Sequence, residues 1–279
     1  MRRWLVAAAL LALGAQEPAA KKEYAKDGVL WGRTWYEAFE EARLRNVPIH
    51  FAIHDDSEDC AAMAAVYADP KYVEASRKLV HVVTNASRTH EIEVELGGTK
   101  VLRCSRYWNI ECTTHMANEK QVTNFKNVAG RPTIVYFKSG HVEMGRVEGK
   151  MTATELIRYE EDVAKKWTGP KLGYAEWLEG KPDFDEANRL SKAKEWRKSI
   201  DGFLKLRRLS NARWREISTE ALLAVNNEGD LLYGEAYKMS ADPAKRKEGV
   251  QRLRQIVTDF KPLPCAQKAA DALKAIAAH

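Results

Sequence analysis

Two short stretches hold most of the residues that could do chemistry. The first is HDDSEDCAAM, residues 54–63, where Ser57 and Cys60 stand three apart at the start of a helical pattern. The second is CSRYWNIECTTH, residues 104–115, which carries Cys104, Cys112 and His115 in a C-x7-C-x2-H spacing. A fourth cysteine, Cys265, lies far from both. A cysteine at a helix start can act as a thiolate nucleophile, because the orphan N–H groups and the helix dipole favour negative charge there. Cys60 sits one turn in, where that help fades, and Asp55, Asp56, Glu58 and Asp59 surround it with like charge. A structural reading stands beside the chemical one. Ser57 is a good N-cap, Glu58 and Asp59 suit a first helical turn, and Cys60 with Met63 would face the core.

The second stretch also allows two readings. Cys112 and His115 on one turn, with Cys104 folding back, could ligate a single ion, and thiolate with imidazole suits zinc or copper. Alternatively, Cys104 and Cys112 close a small loop as a disulfide, worth about 2 to 3 kcal/mol through restriction of the unfolded chain. An oxidising compartment favours the disulfide, leaving His115 at the surface or beside it. Tyr107, Trp108 and Ile110 would pack this segment onto the domain in either case. His54, beside Asp55 at a strand end, is a further candidate ligand.

The compartment is read from the N-terminus. Arg2 and Arg3 precede an apolar run from Trp4 to Leu13, followed by small residues, the pattern of a secretory signal peptide. Cleavage after Ala15 would lower the net charge from +6 to +4 by removing those two arginines. No later apolar run is long enough to span a bilayer, so a secreted or periplasmic location is expected. Charges of both signs are spread along the chain without a basic stripe and interleaved aromatics, which argues against nucleic-acid binding. Serine-hydrolase, P-loop and dinucleotide signatures are absent from the sequence.

The elements that must position these residues have two rhythms. After a signal peptide and linker over 1–20, residues 21–168 mix helix and strand. Thr34 with Glu37 predicts a capping box before Trp35, Ala38, Phe39 and Ala42. IHFAIH reads as a strand, a helix starts near Ser57, and a short one follows Asp69-Pro70. LVHVVTN is another strand, and TIVYFKSG with HVEMGRVEG form a hairpin around Ser139-Gly140. Thr152 with Glu155 caps a helix to about Trp167, and residues 86–127 read as a largely irregular insertion. Beyond Thr168-Gly169-Pro170, residues 169–279 are helical throughout. One stripe runs from Phe184 through Trp196 to Leu204 and another from Val250 to Phe260, entered by Asp242 as N-cap and Pro243. A third runs from Ala266 to Ile276. Antiparallel hairpins similar to degenerate tetratricopeptide repeats would follow, either holding a protein partner or packing on the first domain.

The order helix, strand, cysteine-bearing helix, strand, Pro-Thr strand, hairpin, helix resembles the thioredoxin fold, an α/β three-layer sandwich. The stretch from Trp31 to Pro48 is similar to the opening of secreted bacterial thioredoxin-like proteins, approximately spaced. CAAM supplies the second cysteine of their Cys-x-x-Cys motif as Cys60, followed by Met63, and Ser57 holds the place of the first. GRPT at 130–133 matches the loop that faces the motif. The resemblance implies that Pro132 is a cis residue and that Arg131 faces the Ser57–Cys60 loop, pairing with its acids or binding an anion. Serine cannot form the mixed disulfide of dithiol exchange, so the expected role is binding or single-thiol chemistry at Cys60. The two alternatives are a metal-handling protein using Cys104, Cys112 and His115, and an interaction scaffold built on the helical extension.

Overall fold

The computed structural model describes residues 28–278 except 33, 109, 129 and 139–141. The expected signal peptide and the Ser139-Gly140 turn lie outside the described residues. In chain order come α1 (Trp35–Arg45), β1 (Ile49–Ile53), α2 (Glu58–Ala68), α3 (Pro70–Ser76) and β2 (Val80–Thr84). Then follow β3 (Glu91–Leu96), β4 (Thr99–Cys104), α4 (Cys112–Glu119), a 3-10 turn (Lys120–Asn124), β5 (Thr133–Lys138), β6 (Val142–Glu148) and α5 (Ala153–Lys165). The rest is helical: α6 (Tyr174–Lys192), α7 (Trp196–Arg207), α8 (Ala212–Ala241), α9 (Arg246–Asp259) and α10 (Pro264–Ala277).

The main sheet has the order β2-β1-β5-β6. Strands β1 and β2 run parallel, joined through α2 and α3, whereas β5 is antiparallel to both β1 and β6. A βαβ unit beside a ββα unit in this order is a thioredoxin-like arrangement. Every residue of β1 and β2 is buried, His50, His81 and Thr84 included, as in strands covered on both faces. On one face Trp35, Ala38 and Ala42 of α1 pack on Ile49, Phe51, Ile53, Val82, Val135 and Phe137. On the other, Ala52, Val83, Ile134 and Tyr136 meet Met63, Tyr67, Tyr72, Leu156 and Val163 from α2, α3 and α5. The helix starts use the residues their side chains suit: Thr34 and Ser57 as N-caps, Asp69 capping α3, and a full Thr152–Glu155 capping box on α5.

The segment 86–127 is not irregular. It holds an antiparallel hairpin, β3–β4, turned at Gly97 and Gly98, both with positive φ, and then helix α4. Helix α4 is part of the crossover rather than an appendage, for Asn118 donates to the Val83 carbonyl and accepts the Trp35 N–H.

The helical region has its own core, built on Trp177, Ile200, Phe203, Trp214, Leu253 and Phe260. The stripe from Phe184 to Leu204 is divided between α6 and α7, with left-handed Lys194 in the corner. Helix α8, 30 residues long, joins that pair to α9 and α10. Asp242 does not open α9. It ends α8, its carboxylate accepting the Ala244 N–H, and α9 starts at Arg246. The two regions touch around α1: Leu44 is buried in the helical core, Arg213 donates to the Leu44 carbonyl and Arg45 to that of Leu172. Among the described residues no helix is long and apolar enough to cross a membrane.

Candidate functional site

Strand β1 delivers the chain to the start of α2, and the loop between them is tied down by its own acids. Asp55 accepts the Ser57 N–H at 2.9 Å, and burial-opposed hydrogen bonding, chiefly from Ser57, holds its carboxyl below the usual value. Ser57 caps α2, its hydroxyl taking the Cys60 N–H at 3.4 Å. Cys60 is wholly buried, and its Sγ accepts the Asp55 N–H at 3.3 Å. Burial first, then Asp55, pushes the Cys60 thiol up, against hydrogen bonding from Ser57. The acid cluster is less crowded than its sequence suggests, because Asp59 pairs with Lys150 at 3.2 Å and Asp56 turns toward Arg106, Thr89 and Asn85. What keeps Cys60 protonated is chiefly its burial.

The Arg131–Pro132 peptide is cis. Arg131 does reach the loop, donating to the His54 carbonyl, but its ion pair is with Glu119 of α4. The expected pairing with the acids around Cys60 is therefore replaced by one across the crossover helix. His54 is not placed as a ligand. Its two ring nitrogens meet the hydroxyls of Tyr107 and Tyr67, each at 3.2 Å, and burial drives it down to about 3, so the ring is neutral.

The second stretch comes together with one residue that sequence reasoning missed. Cys104 ends β4, Cys112 opens α4, and His115 lies one turn further on. His90 precedes β3, whose Glu91 pairs with Cys104 across the hairpin. The donor atoms of His90, Cys104, Cys112 and His115 all lie within 4.8 Å of one another. His90 Nδ1 is 3.0 Å from Cys104 Sγ and 3.3 Å from Cys112 Sγ. Both sulfurs are free thiols, so the expected Cys104–Cys112 disulfide is not formed in this structure. His115 is not at the surface but fully buried. Burial first, then the charge of Cys104, pushes the Cys112 thiol up to about 12, and burial lowers His115 to about 4. Tyr107 and Ile110 pack inward as expected, whereas Trp108 is half exposed at a positive φ. His90 lies 14 residues before Cys104 at the far end of the hairpin, and the alternation of EIEVEL about Gly97-Gly98 is the sequence signal that could have placed the two side by side.

A further polar cluster crosses the sheet itself. His81, His50 and Tyr136 stand side by side on β2, β1 and β5 by strand register. Glu160 of α5 accepts from Tyr72 at 2.7 Å and from Tyr136 at 3.3 Å, and its Oε1 lies 2.7 Å from His50 Nδ1. Burial would raise Glu160, but hydrogen bonds from His50 and His81 outweigh it and hold the group at about 2. Burial is the main force lowering His50, to about 4. Whichever of the two holds the proton, the Nδ1–Oε1 bond is the fixed feature. Glu160 Oε1 is the shared acceptor of this cluster, whereas His50 Nε2 and Glu160 Oε2 are buried without a partner, so the polar core is only partly satisfied.

No protein family matches the sequence, and no curated protein matches it either. Solved structures do show similarity. A thioredoxin-fold protein from Helicobacter pylori is 10% identical, covering 43% of this chain and 70% of its own, with a TM-score of 0.30. A DsbH oxidoreductase is 14% identical, covering 52% of this chain and 90% of its own, at 0.35. Thioredoxin from Aeropyrum pernix is 15% identical, covering 44% and 81%, at 0.28. The sheet order β2-β1-β5-β6, with its parallel and antiparallel pairs, is what makes the chain thioredoxin-like in fold.

Proposed function

We propose that this chain is a secreted, periplasmic thioredoxin-like protein that has given up dithiol exchange. It acts by binding, or by slow single-thiol chemistry at Cys60. The observation that supports this best is the pairing of Ser57 with a fully buried Cys60. Dithiol exchange needs an exposed attacking thiolate and a second thiol to resolve the mixed disulfide. Here the exposed position carries a hydroxyl engaged as a helix cap, and the remaining thiol is shielded and held protonated by burial. Helices α6 to α10 would then serve partner binding, with the thioredoxin-like domain as their base.

The purified protein should not reduce insulin disulfides above the uncatalysed dithiothreitol background. Turnover like that of an ordinary thioredoxin, lost in Cys60→Ala, would overturn the reading and make Cys60 a catalytic monothiol.

A further inference from the structure

We propose that His90, Cys104, Cys112 and His115 form a closed, four-coordinate zinc site, and that Asp56 couples it to the Ser57–Cys60 loop. The first support is the donor set. Two sulfurs and two imidazoles converge within 4.8 Å, and atoms bound to a tetrahedral zinc at 2.0–2.3 Å sit roughly 3.3–3.8 Å apart. The observed sulfur–nitrogen separations of 3.0 and 3.3 Å need only small adjustments to admit the ion.

The histidine tautomers supply the second support. His115 Nδ1 lies 2.7 Å from the Asn85 carbonyl, which can only accept, so Nδ1 carries the proton and Nε2 the lone pair. That Nε2 is buried with no hydrogen-bond partner, an unfavourable state for a buried acceptor. A metal ion would satisfy it. At His90, Nδ1 faces both sulfurs while Nε2 lies 3.7 Å from Asp56, just beyond hydrogen-bond reach. A carboxylate behind a ligating imidazole fixes its tautomer and raises its basicity.

The backbone also suits thiolate ligands. The Tyr107 N–H points at Cys104 Sγ at 3.3 Å, and the Cys104 N–H is bonded to the Ile110 carbonyl, folding the strand end into a tight knuckle. Cys112 and His115 sit one turn apart on α4, so the helix presents both to the same point. A disulfide between the cysteines would leave His90 Nδ1 and His115 Nε2 without a donor, whereas the ion occupies all four groups.

Charge selects the metal. Two thiolates and two neutral imidazoles around a divalent ion sum to zero, which suits a site where Cys104, Cys112 and His115 are fully buried. Copper(I) would leave one uncompensated negative charge there. With four protein donors and little exposure the site has no open position, so its role is to hold the hairpin and α4 together. Asp56 carries that order outward, since it also binds Arg106 at 3.3 Å and Thr89 at 3.0 Å and immediately precedes Ser57.

The test uses the full chain, purified under reducing conditions and dialysed. One zinc per chain is expected by elemental analysis, released as a mercurial reagent titrates two thiols. Cobalt(II) exchanged into the unaltered protein should give the strong visible bands of a tetrahedral ion with thiolate charge transfer. Asp56→Asn should weaken zinc binding about 10- to 100-fold. Cys112→Ser should lose the cobalt thiolate bands in proportion, and Cys60→Ala should keep full occupancy. A reduced chain that refuses an added equivalent of zinc overturns the proposal. So does a weak octahedral cobalt spectrum, stoichiometric copper in place of zinc, or unchanged zinc in folded Cys112→Ser. Because the cobalt spectrum is read on the unaltered chain, a variant that fails to fold does not remove the test.

Discussion

The same domain treats its cysteines in two opposite ways. Around Cys60 the chain has isolated one sulfur: the neighbouring position is a serine, the acids are drawn off to Lys150, Arg106 and Thr89, and the thiol is buried at a helix start. Around Cys104 it has gathered sulfur and nitrogen from a loop, a strand end and a helix into one point. Asp56, one residue before Ser57 and 3.7 Å from His90, stands between the two places. The difference shows that a motif's position in a fold does not decide its chemistry. The place where thioredoxin-like proteins put their redox pair is here a capped helix start, and the gathered donor set lies between the β3–β4 hairpin and α4.

The largest expected effect tests the gathered cluster. Removing the ion with a strong chelator under reducing conditions should lower the melting temperature of the thioredoxin-like domain by about 10 °C. An ion present at a thousand times its dissociation constant stabilises by about 4 kcal/mol, and each kcal/mol moves a domain of this size by roughly 2–4 °C. Calorimetry before and after chelation checks this, and an unchanged transition would put the two cysteine sites on an equal, purely structural footing.

Acid should reveal the buried imidazole beside the Cys60 loop. His54 is lowered to about 3 by burial, below the value near 6.5 of an unfolded chain. Between those values the unfolded state binds the proton and the folded state does not, so stability falls as pH drops below about 6.5. The loss from His54 alone is about 1.4 kcal/mol per pH unit, or roughly 3 kcal/mol by pH 4.5. Glu160, held at about 2, adds no slope in this window, because its contribution is lost only on further acidification. Urea midpoints of chelated protein at pH 6.5 and 4.5, for the unaltered chain and His54→Gln, measure the term. Equal slopes would remove His54 from the account.

The smallest effects belong to the isolated sulfur. Cys60→Ala should cost about 1 kcal/mol, the loss of a small buried group, without changing bound metal. Ser57→Cys should form an internal disulfide with Cys60, since the Ser57 side chain already folds back onto residue 60, taking its backbone N–H at 3.4 Å. Exchange with glutathione should then be slow, because the buried Cys60 is a poorly accessible partner. Mass mapping of the bond is the check; a folded variant with two free thiols would show that positions 57 and 60 do not face each other.

Much of this was legible in local sequence. The caps at Thr34, Ser57 and Thr152, the strands IHFAI and VHVVT, and the helical rhythm past residue 169 are short-range signals, and the structure carries each of them. Cys104, Cys112 and His115 could be proposed together because 12 residues contain them all. Local sequence misled at Asp242-Pro243, which has the chemistry of a helix start yet closes α8; the hairpin β3–β4, by contrast, was legible, since EIEVEL alternates charged and apolar residues up to the Gly97-Gly98 turn.

What only the tertiary structure decided is which groups face one another. His90 is brought beside Cys104 by the hairpin register, which the two-residue Gly97-Gly98 turn sets locally, but its meeting with Cys112 and His115 depends on how α4 packs against the hairpin. His50, His81 and Tyr136 form a row because three strands that are distant in sequence lie side by side, and Glu160 meets them from a helix 110 residues after His50. Arg131 finds Glu119 rather than the nearer-seeming acids of the Cys60 loop because α4 packs against β2. Sequence by itself determines the periods, caps and turn residues that make each element, since those depend on neighbours a few residues away. Partners across the fold depend on register and on which faces are buried together, and these exist only once the sheet and its helices have closed.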